Sequence, residues 1–209
     1  MHQPPAPGTI ADLPFASMLE SVAARTPAPG GGAVAHATGG LASALAQMVV
    51  NYSIGKKSLA EQQGELRAAL ERLHAARSEM LAMAEEDAAA YRSLNELLRL
   101  DATDPRRIAD LPRAIERCVE IPRRGAEKAL EMLRLFESLA PITNRMLRSD
   151  LGIAAVLGEA TVRACVWNVR INALELDAGQ RREIDERCGQ MLAEAARRAA
   201  AVERACEAG

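Results

Sequence analysis

Apolar residues recur at helical spacing along most of the chain. Between residues 33 and 54 the larger apolar positions follow one another at alternating steps of four and three residues, without an intervening charge: Val34, Thr38, Leu41, Leu45, Met48 and Tyr52. Small residues border this stripe and would let a second helix axis approach closely: Ala35, Gly39, Ala42 and Ala46. The pattern predicts a central helix that the rest of the protein surrounds.

Five further helices are predicted on the same grounds, over residues 15–24, 58–98, 112–139, 151–176 and 180–206. The helix over 58–98 starts at a capping box, Ser58 to Glu61, and Pro122 is expected to kink the next helix. No segment shows the alternation of a strand. The sequence therefore predicts an all-α, single-domain bundle of about six helices over residues 15–209, preceded by a flexible N-terminal arm, residues 1–14.

Composition and charge exclude several classes of function. Apolar residues make up 49% of the chain and aromatic residues only 2%, and the formal net charge is −2. Acidic and basic residues are mixed along the helices, so no nucleic-acid partner is expected. The cysteines have no zinc or redox spacing and are typical of buried thiols in a reducing compartment, which predicts a cytoplasmic protein: Cys118, Cys165, Cys188 and Cys206. The three histidines share no ligand spacing either, so no metal is expected.

The charge-free run over residues 26–55 is long enough to cross a bilayer. It has few large aliphatic residues, however, and it contains a pair of glycines, Gly39 and Gly40. His36, Gln47 and Asn51 are also spread around its helix faces. We therefore expect a helix enclosed by protein and no membrane partner. The N-terminus lacks the basic and apolar regions of a signal peptide, so no targeting is predicted.

Asp87 stands where helix packing favours an apolar residue. It lies on a stripe with Met80, Met83, Tyr91 and Leu94. An ionised, unpaired carboxylate away from water would cost several kcal/mol. Asp87 is therefore either held in a structural ion pair by an arginine of another helix, or its pKa is raised into a range that suits proton transfer.

Four other polar residues are candidates for a site, and each of them also has a structural interpretation. Asp150 follows Ser149 at the start of an apolar helix, where either residue would serve as an N-cap. Asn168 and Asn172 lie one turn apart on an apolar helix and need partners, either the main chain of another helix or the edge of a heterocycle. Lys56 ends the charge-free run, where a cation complements the helix dipole.

A proline- and glycine-rich loop precedes the central helix. Pro29 is followed by Gly30, Gly31 and Gly32, which permit a tight turn or a close approach of the backbone to another group. The loop lacks the second glycine and the Lys-Ser/Thr pair of a phosphate-binding P-loop, so it does not predict nucleotide binding.

Five segments taken together are similar to one known family. They are TPAPGGGAVAHATGGLASALAQMVVNYSIGKK, the acidic pair Glu86-Asp87 followed by Tyr91, the Ile-Pro at 121–122, TNRMLRSDLGIAA at 143–155, and WNVRIN at 167–172. In order and spacing they resemble the formiminotetrahydrofolate cyclodeaminase / methenyltetrahydrofolate cyclohydrolase family, over about residues 17–177. The resemblance implies an all-helical homodimer that acts on the one-carbon unit bridging the two nitrogens of reduced folate.

The resemblance also implies a site. Asp150 and Asp87 would stabilise the cationic amidinium or take a proton from water, in an order left open, and Lys56 would meet the glutamate tail or a developing negative oxygen. The expected substrate-binding residues are Pro29, Gly30, Gly31, Gly32, Asn51, Asn144, Asn168 and Asn172. The tetrahydrofolate derivative is the substrate, and neither a metal nor a further cofactor is expected.

Three functions remain open on this basis. Hydrolysis of 5,10-methenyltetrahydrofolate to 10-formyltetrahydrofolate is preferred, because the chain contains no formiminotransferase segment. The alternatives are a formiminotetrahydrofolate cyclodeaminase that releases ammonia, and a catalytically silent helical dimer that binds folate or another protein. Departures from the family pattern motivate these alternatives: Ala33 and His36 replace small residues, Met146 replaces an asparagine, and an LPK-like element is missing after the third helix.

Overall fold

A computed structural model describes residue 10 and residues 13–207, and helices account for most of this part of the chain. The six α-helices are α1 (Phe15–Ala23), α2 (Gly31–Asn51), α3 (Gln63–Leu98), α4 (Pro105–Leu139), α5 (Arg148–Asn172) and α6 (Ala178–Glu207). Three short 3-10 segments cover Lys57–Gln62, Arg145–Leu147 and Ala173–Glu175. The described residues contain no strand, so the predicted all-α class is confirmed. Most of the expected arm, 1–14, lies outside the described residues.

Four antiparallel helices form the body of the protein. Helix α2 packs on α3 and α5, and α4 packs on the same two helices from the other side, while α6 covers α5 and α4. Apolar side chains with no exposed surface fill the space between them: Leu66, Leu73, Met80, Leu133 and Phe136. Burial of such side chains contributes roughly 1.5–3 kcal/mol each and is the main stabilising term of a bundle of this kind.

Helix α2 is central, but its small residues rather than its large ones face the core. A Cβ at Gly39 would lie 2.8 Å from Sδ of Met80, so only glycine allows the two helices to approach this closely. The stripe of larger residues points outward instead, and Leu41 and Tyr52 are 51% and 63% exposed. This helix is apolar and long enough to span a membrane, yet 61% of its most apolar window is buried inside the protein.

Two predicted helix starts are wrong. The expected capping box does not form, because residues Lys57–Gln62 make a 3-10 segment and α3 begins only at Gln63, without a side-chain cap. Helix α4 begins at Pro105, seven residues before the predicted start. The Asp104 carboxylate accepts hydrogen bonds from the backbone N–H groups of Arg106, at 2.8 Å, and Arg107, at 3.4 Å. Pro105 fits the first helical position because no hydrogen bond is required of its nitrogen there.

The start of α5 also differs from the prediction. The helix begins at Arg148, so Ser149 and Asp150 lie inside its first turn and neither caps it. Asn144 caps the preceding 3-10 segment by accepting from the backbone N–H of Met146. At the other end of α5, the Asp177 carboxylate accepts from the backbone N–H groups of Gly179 and Gln180 and so initiates α6. Gly179 therefore belongs to the last helix rather than to the end of α5.

Helices α3 and α4 extend beyond the rest of the bundle. They have 36 and 35 residues, against 21 and 25 in α2 and α5. We call the extending parts, residues 88–98 and 105–117, the hairpin overhang. Ile115 is the first buried residue of α4, so much of the overhang is held only by contacts between its own two helices.

Candidate active site

The glycine-rich loop lets an acidic side chain approach the start of α2. Gly30 precedes the helix, and Gly31 and Gly32 form its first turn. A Cβ at Gly32 would lie 2.2 Å from both carboxylate oxygens of Asp87, which is impossible for real atoms. The glycine at this position is therefore required by the close approach of the Asp87 carboxylate.

Asp87 is the acidic group of this region with a perturbed proton affinity. Burial raises the pKa of its carboxyl from 3.8 to about 6. The backbone N–H of Ala33, at the positive end of α2, faces the carboxylate and lowers the pKa, but this effect is smaller than that of burial. The neighbouring Glu86 forms an ion pair with Arg124 at 3.0 Å, and both are largely exposed. Of the two alternatives for Asp87, burial favours the raised pKa, and among the described residues no arginine forms an ion pair with this carboxylate.

Asp87 lies in a cavity of about 330 Å³ that we call the Asp87 pocket. Its lining residues come from the glycine loop and from α2, α3, α4 and α5: Pro27, Ala28, Gly30, Gly31, Gly32, Asp87, Tyr91, Cys118, Asn168, Ile171 and Asn172. Asp87 is the one carboxylic acid among them. Burial, reinforced by the negative charge of Asp87, raises the pKa of the Cys118 thiol to about 11 and that of the nearby Cys165 thiol to about 12. Both thiols are therefore neutral near pH 7.

The two asparagines of α5 both line this pocket, and one of them has a structural partner on another helix. Pro122 has no N–H, so the carbonyl of Cys118, four residues earlier in α4, lacks its helical donor. Nδ2 of Asn172 donates to this carbonyl at 2.6 Å and replaces the missing bond. Asn168 donates to the carbonyl of Ala164 in its own helix, at 2.9 Å, and its amide group lies against Gly31.

The remaining polar residues of the predicted site lie elsewhere in the chain. Asn51, Lys56, Asn144 and Asp150 gather near the C-terminal end of α2, and we call them the distal cluster. The backbone N–H of Asn144 donates to Oγ of Ser53 at 2.8 Å, which fixes this location. From Asp150 to Asn168 the chain rises about 27 Å along α5, at about 1.5 Å per residue. One subunit therefore does not bring Asp150 and Asp87 together.

A larger cavity of about 410 Å³ lies between the two helices of the hairpin overhang. Three arginines line it together with acidic residues: Arg106, Arg113 and Arg117. It contains none of the predicted site residues. We therefore place the candidate site at the smaller Asp87 pocket, where a half-buried carboxylate and two asparagine amides converge.

Sequence reasoning does not single out several residues of the pocket. Cys118 and Ile171 are absent from the expected set, and Pro27 and Ala28 line the pocket although Pro29 does not. The sequence does contain one signal that points to the contact between Cys118 and Asn172. Pro122 within a helix requires a substitute donor for the carbonyl of Cys118, and a polar residue on a neighbouring helix is the natural source.

Comparisons with known proteins point to one family. The family model of formiminotransferase-cyclodeaminase matches residues 14–190. The formimidoyltransferase-cyclodeaminase of Gallus gallus is 30% identical over 87% of this chain, which spans only 35% of that protein. The methenyltetrahydrofolate cyclohydrolase of Methylorubrum extorquens is 30% identical over 77% of this chain and 79% of its own length.

A solved structure shows the same fold. The crystal structure of formiminotetrahydrofolate cyclodeaminase from Thermotoga maritima superposes with a TM-score of 0.86 and 26% sequence identity, covering 95% of this chain and 98% of that one. The six-helix architecture is thus shared along nearly the whole chain. With the family model matching residues 14–190, the chain belongs to the formiminotransferase-cyclodeaminase family.

Proposed function

We propose that this protein hydrolyses 5,10-methenyltetrahydrofolate to 10-formyltetrahydrofolate, with Asp87 as the group that accepts a proton from water. The observation that carries the proposal is the Asp87 carboxylate, held in a pocket with its pKa raised to about 6. A base with that pKa is ionised at neutral pH and still has substantial affinity for a proton. The similarity to a cyclohydrolase of comparable length supports the choice of reaction.

The chemistry requires a base and a cation-stabilising environment. Water attacks the amidinium carbon, a C–O bond forms, and the proton lost by water passes to Asp87. Collapse of the adduct then breaks one C–N bond, and Asp87 returns its proton to the departing nitrogen. The hydroxyl group of the adduct loses its remaining proton to solvent, which leaves the carbon as a formyl group on the other nitrogen. Asp87 also attracts the cationic substrate before the proton transfer. These steps are an addition, an elimination and proton transfers without a change of oxidation state, so we propose no cofactor beyond the folate itself.

The asparagines of the pocket are suited to hold the flat ring of the substrate. The amides of Asn168 and Asn172 lie on the same side of α5, one turn apart, and both line the pocket that contains Asp87. An amide offers both donors and an acceptor, as required to bind the donor and acceptor edge of a pterin. Tyr91, which is 42% exposed, lies at the same pocket and offers an aromatic face.

We further propose that the active unit is a homodimer whose sites combine both ends of α2. An outward apolar surface runs along α2 and α5, formed by exposed side chains that include Val34, Leu41, Tyr52, Ile153, Val156, Trp167 and Ile171. Exposed apolar surfaces of this length are typical of subunit interfaces. Ile171 joins the surface to the Asp87 pocket, and Ile153 joins it to the distal cluster, one helical turn from Asp150.

A two-fold axis through this surface explains why the predicted site is divided. We propose an axis perpendicular to α2, which places the two copies of this helix antiparallel, so that the N-terminal end of one α2 lies beside the C-terminal end of the other. The Asp87 pocket of one subunit then faces the distal cluster of its partner. Lys56 and Asp150 would then reach the Asp87 pocket from the second subunit, whereas within one subunit they lie too far away from it.

Loss of the methenyltetrahydrofolate absorbance on adding the protein tests the reaction. We expect turnover in the wild-type protein and a loss of about 100-fold or more in the Asp87→Asn variant, which cannot accept the proton. An absence of acceleration over buffer, or full activity of Asp87→Asn, would overturn the proposal. Binding of a stable folate analogue without turnover would instead identify the silent dimer.

Mixing two inactive variants tests the shared site. Asp87→Ala and Asp150→Ala are each expected to be inactive, and subunit exchange produces mixed dimers with one intact site. A one-to-one mixture should recover about a quarter of the wild-type activity. If no activity returns although mass spectrometry shows mixed dimers, the two residues do not act in one shared site.

Cyclodeamination of formiminotetrahydrofolate is the second candidate, because the Thermotoga maritima protein with this fold is a formiminotetrahydrofolate cyclodeaminase. In that reaction a folate nitrogen attacks the formimino carbon and ammonia leaves. Asp87 would then take the proton of the attacking nitrogen. Release of ammonia from formiminotetrahydrofolate, without hydrolysis of the methenyl compound, would favour this reaction.

A further inference from the structure

His36 is buried directly beneath the Asp87 pocket and has no part in the reaction described above. Its side chain has no exposed surface, and its Nδ1 lies 2.8 Å from the carbonyl oxygen of Gly32. Its Nε2 points toward α4 at Ile121 and Gly125 without a hydrogen bond of normal geometry. A Cβ at Gly125 would lie 2.4 Å from that nitrogen, so a glycine makes room for the ring.

The Gly32 carbonyl and the Ala33 N–H belong to one peptide group. His36 binds the oxygen of this group, and the Asp87 carboxylate faces its N–H. A carbonyl oxygen only accepts, so this contact is a hydrogen bond in the tautomer that carries the hydrogen on Nδ1. Donation to the oxygen of an amide polarises the whole group and strengthens the bond that its N–H donates. The peptide plane is also fixed in the orientation that directs the N–H at Asp87.

We propose that His36 is a positioning residue for Asp87 and acts through the Gly32–Ala33 peptide group. It holds the peptide plane and strengthens the donor that stabilises the ionised carboxylate. An effect of His36 on the reaction rate rests on the proposed function of Asp87. An effect of His36 on the proton affinity of Asp87 does not depend on that function. Burial without compensation would otherwise raise that affinity further.

The charged and titratable neighbours of Asp87 and His36 do not supply a positive charge that would stabilise the ionised Asp87 carboxylate. Around Asp87 the thiols of Cys118 and Cys165, from α4 and α5, have raised pKa values and stay neutral near pH 7. Burial lowers the pKa of the His36 imidazole below 6.5, and the backbone carbonyls of Gly32 and Ile121 oppose this effect without cancelling it. The smaller effects of the Glu86 and Arg124 charges oppose each other. His36 is therefore neutral at pH 7 and acts through its Nδ1–H rather than through a positive charge.

Two variants separate the hydrogen bond from packing, because one keeps a donor and the other fills the space. His36→Asn keeps a donor that reaches the carbonyl four residues earlier, as Asn168 and Asn95 do in this same chain, at 2.9 and 3.2 Å. His36→Leu fills the space without a donor. Ser43→Ala is the control, because Ser43 donates to the Leu73 carbonyl at 2.7 Å and is likewise buried in α2, but lies away from the pocket.

The measured quantity is the midpoint pH at which the Asp87 carboxyl carbon titrates, followed by NMR in the full chain. This midpoint is compared with the acid limb of the pH dependence of the hydrolysis rate. In His36→Leu we expect the midpoint to rise by about 0.5–1 pH unit, corresponding to part of one hydrogen bond. His36→Asn should restore most of the wild-type midpoint, and Ser43→Ala should leave it unchanged. An unchanged midpoint in His36→Leu, or equal shifts in all three variants, would overturn the proposal.

The wild-type protein provides a test that no variant can obscure. Nitrogen chemical shifts of the imidazole distinguish the two tautomers, and we expect hydrogen on Nδ1 of His36. Hydrogen on Nε2 alone would overturn the proposal. A protein that shows the expected tautomer and midpoint shifts but does not turn over folate would disprove the proposed function while leaving the role of His36 intact.

Discussion

Replacing Gly32 by alanine should remove the function of the Asp87 carboxylate without unfolding the protein. The new Cβ would lie 2.2 Å from both oxygens of Asp87 and 2.3 Å from its Cγ. Asp87 is the element that yields, since its carboxylate is the end of a side chain and the opposing atoms belong to a helix backbone. The carboxylate must move by about 1 Å or more, and a displacement of that size costs roughly 100-fold in rate.

The stability of the Gly32→Ala variant should change little. Alanine is favoured over glycine inside a helix by about 0.5–1 kcal/mol, and a carboxylate pushed toward water loses part of its burial penalty. Both effects oppose the loss of packing at the pocket. Gly189→Ala in α6 is the matched control, because a Cβ there meets no atom within 4 Å. We expect that control to retain wild-type activity and to gain a small amount of stability.

A double-mutant cycle shows whether the effect passes through Asp87. Methenyltetrahydrofolate hydrolysis is measured for the Gly32→Ala and Asp87→Ala variants and for their combination, with urea denaturation in parallel. Because the added Cβ harms the enzyme only by displacing the carboxylate, adding Gly32→Ala to Asp87→Ala should change the residual rate by less than about twofold. Independent, multiplying losses would refute the steric argument, and so would full activity of Gly32→Ala.

Three further predictions concern stability and assembly. The pKa of Asp87 is raised on folding, so the free energy of unfolding of the wild-type protein should fall as the pH rises from about 4 to 6. Above pH 6, Asp87→Asn should be more stable than wild type by about 1–2 kcal/mol. Below pH 4, this difference in the free energy of unfolding should vanish. Asn172→Ala should lower the free energy of unfolding by about 1–3 kcal/mol, because it leaves the Cys118 carbonyl without a donor. The loss should be smaller in a Pro122→Ala background, where the helical N–H is restored. Equal losses in the two backgrounds, measured by urea titration, would contradict the pairing. Trp167→Glu places a charge on the exposed apolar surface that we propose as the dimer interface, so it should yield monomers in sedimentation and lose activity. An active monomer would exclude a shared site.

The helices could be predicted from the sequence because their apolar spacing is regular, but the direction in which α2 faces could not. Its large residues mark the stripe that stands out in the sequence, whereas the core takes the glycine and alanine side. Close approach at Gly39 to Met80 makes the small side more favourable for packing. A periodic pattern identifies two faces of a helix, and it does not say which face meets the protein and which meets a partner.

The helix boundaries and the division of the site depend on tertiary contacts that local signals do not contain. Ser58 and Glu61 have the residue types of a capping box, yet a 3-10 segment forms there instead. Asp87 could be selected from the sequence, since a carboxylate on an apolar stripe requires an explanation. Its separation from Asp150 could not, because it follows from the antiparallel arrangement of α2 and α5. The role of His36 also depends on contacts that only the folded chain creates.

The hairpin overhang gives the molecule two regions of different rigidity. The first ten residues of α4 bury no side chain, so the tip can open while the four-helix body remains intact. Backbone amides there should exchange with deuterium far sooner than those of Leu66 or Phe136. Tyr91 and Cys118 stand at the root of the overhang and also line the pocket, so we expect each opening of the tip to loosen one wall of the cavity. For the proposed reaction, we expect this fluctuation of the overhang to govern substrate entry and product release.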